Sequence, residues 1–490
     1  MMQLHALLAR LEREGLVRAM QGSFDDRTIE RLAHDSRAVG PNTLFVAIRG
    51  ERVDGHLFID KAVKNGAIAV VCETVPEGID LSGTALAQVT DARAALAELA
   101  AANYGDPSQE LRMVGVTGTN GKTTITFLVH RVLTSLLGKT GLIGTIATLV
   151  DGARVEASMT TPDTLDINRL LRQMVDAGCK ACAMEVSSHA LHQQRVRGID
   201  YDVAIFSNLT QDHLDYHKTL DNYLAAKKLL FDGLSANATA LYNIDDPSGP
   251  KMVQDTRAKV VSYGRSLGAD IRLDVLDNGL NGLRLRIDGI ERTFRLVGLF
   301  NAYNLTAAYG AARALGLGSE QVLDVLAEAS PVPGRFEQLT FAGGTTVIVD
   351  YAHTPDALEN VLQTIRDTKP QQAALWCLFG CGGDRDVTKR PIMARVAERY
   401  ADHMIVTSDN PRTEQPGAIM EDIRQGLERP AGATWIVDRR EAIGWAAEHL
   451  RQGDVLLVAG KGHETYQIVG TEKRHFDDHE EVERAFGARA

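Results

Sequence analysis

The sequence predicts an α/β protein of three domains, built on parallel sheets with antiparallel strands appended to the central one. The chain has 490 residues, and at about 150 residues per domain this length corresponds to about three domains. Apolar strand segments alternate with amphipathic helix segments, as in parallel sheets that helices cover on both faces. Between about residues 258 and 298 the pattern changes to apolar–polar alternation, which is typical of antiparallel strands.

The composition excludes several classes of protein. Hydrophobic residues make up 44% and charged residues 24%, as in ordinary globular proteins. The net charge of −11 argues against a nucleic-acid partner, which needs a basic face. No apolar run approaches the ~20 residues of a membrane span, and charges interrupt the N-terminal apolar stretch, so we expect neither a membrane partner nor a signal peptide. Five cysteines are too few for a disulfide framework. We therefore expect a cytoplasmic protein.

The first predicted domain covers residues 1–107. Strands are expected at 43–50 and 68–73 with a helix near 60–66 between them. A longer helix should begin after Asp91, which has the side chain of an N-cap residue. The segment Gly105-Asp106-Pro107-Ser108 breaks this helix and marks the first boundary.

The second predicted domain, residues 108–335, is a central parallel sheet with a phosphate loop. It opens with the apolar strand 111–116 and includes a long helix from His217 to Leu234. The CxxC pair Cys179 and Cys182 has no second CxxC, and since Cys182 lies in an apolar run we expect both thiols to pack in the core. Two helices close the domain, at 301–316 and 319–329, before the prolines and glycine of the second boundary, Pro331, Pro333 and Gly334.

The third predicted domain, residues 336–490, is Rossmann-like and doubly wound. Its apolar strands are each followed by polar clusters, namely DYAHTPD, GCGGDRD, SDNPR and GKGHE. Ligands bind at the carboxyl ends of the strands in such sheets. We therefore expect these clusters to form one site.

The segment VTGTNGKTT, residues 116–124, indicates a phosphate loop because it joins a strand to a helix. Backbone N–H groups and the helix N-terminus would hold phosphate oxygens. Lys122 would reach the β and γ phosphates, and the Thr123 hydroxyl would bind Mg²⁺. Val116 replaces the first glycine of the usual pattern, which leaves Gly118 and Gly121. The alternative is a glycine turn with an incidental lysine.

Four further side chains have no single assigned role when only the residues are considered. Glu185 ends an apolar strand and is either a Mg²⁺ ligand or a solvated strand-end carboxylate. His213 and His217 have the i, i+4 spacing of metal ligands, but Mg²⁺ prefers oxygen, so their loop is only a neighbour of metal or phosphate. Lys227, beside Lys228, fits a solvated helix face.

The motifs taken together resemble those of one family. In chain order they are GTNGKTT, TTPD, MEVSSHAL, NLTQDHLDYH, YLAAK, GLFNAYN, PGRFE, DYAHTPDAL, GCGGDRD, DNPR and GKGHE. This series resembles the Mur ligases over nearly the whole chain. The resemblance implies ATP-dependent addition of an amino acid to UDP-MurNAc-dipeptide through an acyl phosphate, in peptidoglycan precursor synthesis, by a monomer. The form DNPR is similar to that of family members that add meso-diaminopimelate, because lysine-adding members lack the arginine.

The resemblance also implies roles for individual residues. Two Mg²⁺ ions would be used, and Lys227, carbamylated by CO₂, would join Thr123, Glu185 and His213 as metal ligands. The catalytic residues would be Lys122, Lys227, Glu185, His213 and Arg335. The ATP contacts would be Gly118, Thr119, Asn120, Gly121, Lys122, Thr123, Thr124, Asn304, Arg335 and Asp350. The sugar-nucleotide contacts would be Ser36, Glu51, Arg52, Val53, Thr160, Thr161, Ser187, Gln193 and Arg195. The amino-acid contacts would be Arg385, Asp409, Asn410, Pro411, Arg412, Gly460 and Glu464.

The DNPR segment has a chemical interpretation of its own. Arg412 offers a planar fork for a carboxylate, Pro411 would stiffen the loop, and Glu464 suits an amine. A plain surface turn is the alternative, since DNPR is a good turn sequence. Two other functions compete with the main prediction. One is a sister ligase, either lysine-adding or a folylpolyglutamate synthetase. The other is a phosphate-loop protein that senses nucleotide without ligation.

Overall fold

A computed structural model describes residues 2–23, 27–50, 53–156 and 159–487. Sheets of five, eleven and six strands follow one another along the chain. Most strand pairs in them are parallel, and helices cover the faces, so the predicted α/β class is confirmed. Glu51 and Arg52, two of the predicted sugar-nucleotide contacts, lie outside the described residues.

The five-stranded sheet pairs one antiparallel strand with four parallel ones. Its strands, in spatial order, are Val17–Gln21, Ala85–Val89, Ala67–Cys72, Thr43–Val46 and Arg31–Ala33. Its helices are Leu4–Arg13, Ile59–Lys64 and Ala92–Asn103, and a small ladder joins Met2–Gln3 to Thr28–Ile29. The Asp91 side chain accepts hydrogen bonds from the backbone N–H groups of Arg93 and Ala94, so the predicted N-cap is confirmed.

The eleven-stranded sheet has a parallel centre and antiparallel ends. Its strands, in spatial order, are Ala153–Val155, Thr148–Val150, Thr140–Ile143, Ala181–Glu185, Arg112–Thr117, Val203–Phe206, Thr239–Asn243, Lys259–Gly264, Ile271–Gly279, Gly282–Ile287 and Ile290–Phe294. The antiparallel prediction from about residue 258 was partly wrong, because Lys259–Gly264 pairs parallel on both sides. Antiparallel pairing in this region begins between Ile271–Gly279 and Gly282–Ile287.

Successive residues of the central strands face opposite cores, as the two-residue period of a strand requires. Val114 and Val116 join one hydrophobic cluster, whereas Met113 joins the other. One cluster contains the helices Lys122–Leu137, Leu299–Ala314 and Ser319–Ala327. The other contains Thr164–Asp176, Ser188–His192 and Leu220–Asp232, and the short helices Leu214–His217 and Gly249–Met252 lie nearby. The buried thiols of Cys179 and Cys182 belong to this second cluster, which confirms their predicted packing role.

The predicted continuous helix from His217 to Leu234 was wrong at its start. The chain forms two helices, Leu214–His217 and Leu220–Asp232. Lys218 has φ 69° between them, and the Thr219 hydroxyl accepts a hydrogen bond from the backbone N–H of Asn222. The break is therefore fixed by a left-handed residue and a threonine N-cap.

The six-stranded sheet has one antiparallel edge strand and is otherwise parallel. Its strands, in spatial order, are Glu337–Thr340, Thr346–Asp350, Val455–Ala459, Leu375–Phe379, His403–Val406 and Ala433–Trp435. Its helices are Pro355–Thr368, Lys389–Tyr400, Pro416–Arg424, Arg439–His449 and Asp478–Gly487, and a hairpin joins Tyr466–Val469 to Glu472–His475. No helix among the described residues has both the length and the apolar character that crossing a membrane requires.

Candidate active site

The phosphate loop connects the strand Arg112–Thr117 to the helix Lys122–Leu137. Gly118 has φ 150° and Gly121 has φ 87°. A Cβ at Gly118 would lie 1.9 Å from Ser207 Oγ, and one at Gly121 would lie 2.6 Å from Asn304 Oδ1. Both glycines are therefore required by conformation and by space. The N-terminus of a long helix faces the loop, which favours an anion there.

Lys122 lies inside this loop. Its Nζ donates to the carbonyl oxygens of Gly118, at 2.9 Å, and Thr119, at 2.8 Å. Burial lowers the pKa of Lys122, while the carboxylates of Glu185 and Asp212 oppose the shift. The ammonium group is thus placed where a phosphate oxygen could replace the two carbonyl contacts.

Glu185 lies at the end of its strand and is buried, with 1% of its surface exposed. Its Oε2 accepts from Thr123 Oγ1 at 2.9 Å, and its Oε1 accepts from the backbone N–H of Thr145 at 2.7 Å. The solvated interpretation of Glu185 was therefore wrong. Arg335 Nη2 also donates to Thr123 Oγ1, at 3.2 Å. Two adjacent oxygen donors suit a hard cation such as Mg²⁺.

The described residues contain no group of three or more His, Cys, Asp or Glu side chains that could hold a metal ion. An ion beside Glu185 and Thr123 would therefore need other oxygen ligands, such as those of a nucleotide. Magnesium commonly binds through one or two carboxylates together with substrate phosphates and water. The donor set fits that mode of binding.

Lys227 is fully enclosed, with 1% of its surface exposed. Its Nζ donates to Gly118 O at 2.8 Å and lies 4.4 Å from the centre of the Tyr223 ring. Burial and the nearby Lys122 ammonium hold the pKa of Lys227 well below its ordinary value. The interpretation of Lys227 as part of a solvated helix face was thus wrong. The neighbouring Lys228 instead forms ion pairs with two carboxylates, those of Asp232 and Asp255.

The two histidines of the next loop have different surroundings. His213 keeps 43% of its side chain exposed, lies 3.3 Å from Asp212, and has φ 54°. Within the cavity the ring is withdrawn from bulk water although part of it stays accessible, and this desolvation lowers the pKa of His213, while the Asp212 carboxylate opposes the shift. His217 is buried and its Nε2 lies 3.0 Å from Ser188 Oγ. The i, i+4 pair therefore leaves one imidazole near the phosphate loop and the other in the core.

A cavity of about 520 Å³ lies above the loop and is bounded by the central and six-stranded sheets. Asp350 lines it, and burial raises the pKa of Asp350 to about 6. The Arg335 guanidinium packs 4.5 Å from the centre of the Tyr351 ring. The predicted ATP contacts that line the cavity are Thr119, Asn120, Gly121, Lys122, Thr123, Thr124, Asn304, Arg335 and Asp350.

Sequence reasoning missed the helix Pro355–Thr368 as a wall of this cavity. Asp356, Asn360 and Thr364 line it at four-residue intervals, and Asn120 Nδ2 donates to Asp356 Oδ2 at 2.7 Å. A polar row with helical spacing, directly after the DYAHTP cluster, was the available signal.

Five of the predicted sugar-nucleotide contacts converge beside Glu185. Thr161 Oγ1 donates to Glu185 O at 2.8 Å and accepts from the backbone N–H of Ser187 at 3.1 Å. Arg195 donates to Thr161 O at 3.1 Å and to Gln193 Oε1 at 3.0 Å. Thr160 Oγ1 lies 3.0 Å from Thr145 Oγ1.

The other sugar-nucleotide contacts lie in the first segment. Ser36 is buried in a short turn that begins after Asp35. His34 Nε2 lies 4.0 Å from Asp163 Oδ2, which brings this turn to the TTPD segment. Val53 is exposed.

The predicted amino-acid contacts lie at the carboxyl edge of the six-stranded sheet. Asn410 Nδ2 donates to Glu464 Oε2 at 2.8 Å. Gly460 has φ 120°, and a Cβ there would lie 2.5 Å from Asp409 Oδ2. Burial and the Asp409 carboxylate raise the pKa of Glu464. Two carboxylates therefore face a region that suits an ammonium group.

The two predicted arginines flank Gly382 in the neighbouring loop. A Cβ at Gly382 would lie 2.9 Å from Arg412 Nη1 and 3.8 Å from Arg385 Cγ. Arg412 donates to Gly383 O at 2.7 Å and has φ 51°, while Pro411 before it is buried and Arg385 is exposed. The structure thus brings a pair of cations next to the pair of carboxylates, as a zwitterionic ligand would require.

Aromatic contacts lie between the predicted nucleotide contacts and the predicted amino-acid contacts. The Tyr351 ring packs against the Arg335 guanidinium and lies 4.9 Å from the His463 ring. His463 is followed directly by Glu464. These contacts connect Arg335, at the nucleotide cavity, with the segment that carries Glu464.

Three family domains match successive parts of the chain. Residues 28–104 match the Mur ligase family catalytic domain, residues 116–312 the Mur ligase middle domain, and residues 334–462 the Mur ligase glutamate ligase domain. A UDP-N-acetylmuramoyl-L-alanyl-D-glutamate–2,6-diaminopimelate ligase of Cytophaga hutchinsonii is 46% identical over 92% of this chain and 93% of its own length. The enzyme of that name from Parabacteroides distasonis is 45% identical over 99% of both chains.

Solved structures of Mur ligases also align with this chain. A structure named UDP-N-acetylmuramoyl-L-alanyl-D-glutamate–2,6-diaminopimelate ligase aligns with a TM-score of 0.68 and 33% identity, over 96% of this chain and 97% of its own. MurF ligase from Thermotoga maritima in complex with ADP aligns with a TM-score of 0.64 over 94% and 98% of the two chains. At 20% identity, that second likeness shows the fold alone.

Proposed function

The chain belongs to the Mur ligase family of ATP-dependent, amide-forming ligases, and on this premise we propose that it adds meso-2,6-diaminopimelate to UDP-N-acetylmuramoyl-L-alanyl-D-glutamate. The product is a precursor of peptidoglycan. Near full-length relatives at 45–46% identity carry this activity in their names, which supports the choice within the family.

The reaction takes two steps. The terminal carboxylate of the D-glutamate attacks the γ-phosphorus of ATP, which forms an acyl phosphate and releases ADP. The free amine of diaminopimelate then attacks the acyl carbon, and inorganic phosphate leaves. Lys122 and Arg335 offset the negative charge that gathers on the transferred group, and the remaining contribution of the protein is to position the reactants.

Magnesium supplies further charge neutralisation when bound. We assign its protein ligands to Thr123, Glu185, His213 and Lys227 as a carbamate, with a second ion held largely by the nucleotide. The hydrogen bond from Thr123 to Glu185 at 2.9 Å and the enclosed amine of Lys227, whose pKa is lowered by burial and by the Lys122 ammonium, support this assignment. A neutral amine is the form that can react with CO₂, and a buried lysine readily takes that form.

Each of the three domains is assigned different substrates. Residues 1–107 would hold the uridine nucleotide, residues 108–335 ATP and the sugar peptide, and residues 336–490 the amino acid. The arginine–threonine contact between Arg335 and Thr123 supports a nucleotide site at the second boundary. Action as a monomer in the cytoplasm stays a prediction.

The choice of diaminopimelate over lysine depends on one observation. Arg412 and Arg385 flank Gly382, next to the carboxylates of Asp409 and Glu464. Diaminopimelate carries a carboxylate and an amine at each end, whereas lysine has no second carboxylate. A guanidinium fork beside paired carboxylates is complementary to the first ligand and would be left unpaired by the second.

An amino-acid panel tests this proposal. Purified protein with ATP and the UDP-MurNAc-dipeptide should release phosphate with meso-diaminopimelate and much less with lysine. If Arg412 pairs with the far carboxylate in a desolvated site, its loss costs about 2–5 kcal/mol, or roughly 30-fold or more in discrimination. Arg412→Ala should therefore lower the rate of ligation with diaminopimelate and reduce the ratio of that rate to the rate with lysine. Lys122→Ala should abolish turnover with every amino acid.

The competing functions give different results in the same panel. A wild-type preference for lysine, or for a folate substrate in place of the sugar peptide, would identify a sister ligase. Phosphate release that needs neither the sugar peptide nor an amino acid would indicate a nucleotide sensor. Full diaminopimelate preference in Arg412→Ala would refute the assigned role of Arg412.

A further inference from the structure

Lys461, in the GKGHE segment, is a lysine with none of its surface exposed. It follows the strand Val455–Ala459 by two positions. A buried ammonium group is costly unless polar groups surround it. Lys461 Nζ lies 3.4 Å from Asn410 Oδ1 and 3.4 Å from Glu464 Oε2, and it donates to the carbonyl oxygen of Tyr466. These three acceptors match the three protons of the ammonium group.

The partners of Lys461 are also bonded to one another. Asn410 Nδ2 donates to Glu464 Oε2 at 2.8 Å, and Asn410 Oδ1 accepts from the backbone N–H of Ile468 at 2.9 Å. Gln467 Nε2 donates to Asp409 O at 2.7 Å. Lys461 thus lies at the centre of a closed network that joins the DNPR loop, the GKGHE loop and the hairpin strand Tyr466–Val469.

The charges around Glu464 give this network a second effect. Burial and the neighbouring Asp409 favour the protonated form of Glu464, whereas the Lys461 ammonium favours the ionised form. Only the ionised carboxylate can form an ion pair with the amine of an amino acid. Lys461 therefore supports both the position and the charge of Glu464.

We propose that Lys461 is a positioning residue for the amino-acid substrate, because it fixes Asn410 and Glu464 from behind. It does not touch the reacting atoms, since its three protons are directed to protein acceptors. This inference rests on the proposed function, in which Asn410 and Glu464 bind the amino acid.

The test is a comparison of KM values in Lys461→Met, which keeps an unbranched side chain, shorter by the terminal group, and removes the charge. KM for meso-diaminopimelate should rise about tenfold or more, as for the loss of a charge-assisted network. KM for ATP and for the sugar peptide should change by no more than about twofold, because neither ligand is held by this network. Lys461→Gln restores amide donors without the charge and should recover part of the affinity.

Lys369→Met is the matched control. Lys369 Nζ also donates to backbone carbonyls, those of Ala373 at 2.5 Å and Pro370 at 3.3 Å. These lie before the strand Leu375–Phe379, at the opposite edge of the sheet from the site. All three KM values of this variant should match those of the wild type.

Two results would overturn the inference. One is an unchanged KM for diaminopimelate in both Lys461 variants. The other is an equal rise of all three KM values with a lower thermal midpoint, which would mean that Lys461 serves only folding. Loss of diaminopimelate dependence in the wild-type protein would instead refute the proposed function, so the two failures are distinguishable.

Discussion

At the scale of single residues, Lys227 has surroundings that favour a neutral amine over an ammonium ion. It is enclosed, its Nζ contacts the carbonyl oxygen of Gly118, and Lys122 opposes a second positive charge. We expect Lys227→Ala to be nearly inactive and a short carboxylate, formate or acetate, to restore part of the ligation rate. The physical reason is that a carbamate serves only as an oxygen ligand, which a small carboxylate can replace.

Lys228→Ala is the control for that experiment, since Lys228 pairs with Asp232 and Asp255 at the surface. It should keep its activity with or without formate. Intact-mass measurement of an active sample should find Lys227 modified. Full activity with an unmodified Lys227 would contradict the carbamate.

The sequence around Lys227 contains a signal for burial that the solvated-face interpretation did not take into account. Tyr223, Lys227 and Phe231 follow one another at four-residue intervals, and all three are buried. A lysine within an apolar helical row predicts a functional environment, because an enclosed lysine needs a special partner. The contact with Gly118 could not be predicted in this way, since it joins residues 109 positions apart.

At the scale of elements, the sequence predicted the strand–loop–helix of the phosphate site and the helices Ala92–Asn103, Leu299–Ala314 and Ser319–Ala327. It did not predict the break before Leu220–Asp232. Hydrophobic periodicity runs through the break, so it predicts one helix from His217. The signal that decides the boundary is local, because Lys218 adopts φ 69° and Thr219 caps the new helix. Threonine is a weaker cap signal than aspartate, which explains why Asp91 was identified and Thr219 was not.

The cap leads to a prediction for the helix that carries Lys227. Thr219→Ala removes the acceptor of the Asn222 N–H, which lies 3.1 Å from Thr219 Oγ1. Loss of such a cap costs about 1 kcal/mol, so amides in the first turn should exchange about fivefold faster where local opening controls exchange. Hydrogen-exchange mass spectrometry over residues 219–232 measures this, with Thr219→Ser as the variant that retains the cap. Equal exchange in wild type and Thr219→Ala would show that tertiary packing alone holds the helix.

At the scale of the whole molecule, three sheets could be predicted from alternating strands and helices, but the contacts between them could not. Arg335 and Thr123 are 212 positions apart, and Asn120 and Asp356 are 236 apart. Such contacts depend on how finished domains meet, which local patterns do not encode. The resemblance to a family supplied part of this information, because it grouped Lys122, Arg335 and Asp350 at one ligand.

The contacts between the central and third domains lead to a prediction about their relative motion. Asn120 and Asp356 join the phosphate loop to the helix Pro355–Thr368 across the nucleotide cavity, so separation of the two sides would widen the path by which ATP enters and ADP leaves. Polar pairs such as Arg335 with Thr123 hold the two sides together, along with the packing of Val297 and Phe300 against the hydrophobic cluster of the third domain. Interfaces between domains of one chain allow relative motion unless they are large and hydrophobic. We therefore expect the ligand-free protein to populate open forms, and an ATP analogue together with the sugar peptide to draw the domains together.

Small-angle scattering should find a smaller radius of gyration with both ligands than without them. Asp356→Ala, which leaves Asn120 without this partner, should widen the ligand-free ensemble. Arg366→Ala, which removes an ion pair with Asp402 inside the third domain, should not. A radius of gyration unchanged by ligands in the wild-type protein would mean that the contacts persist throughout turnover and that nucleotide exchanges by another route.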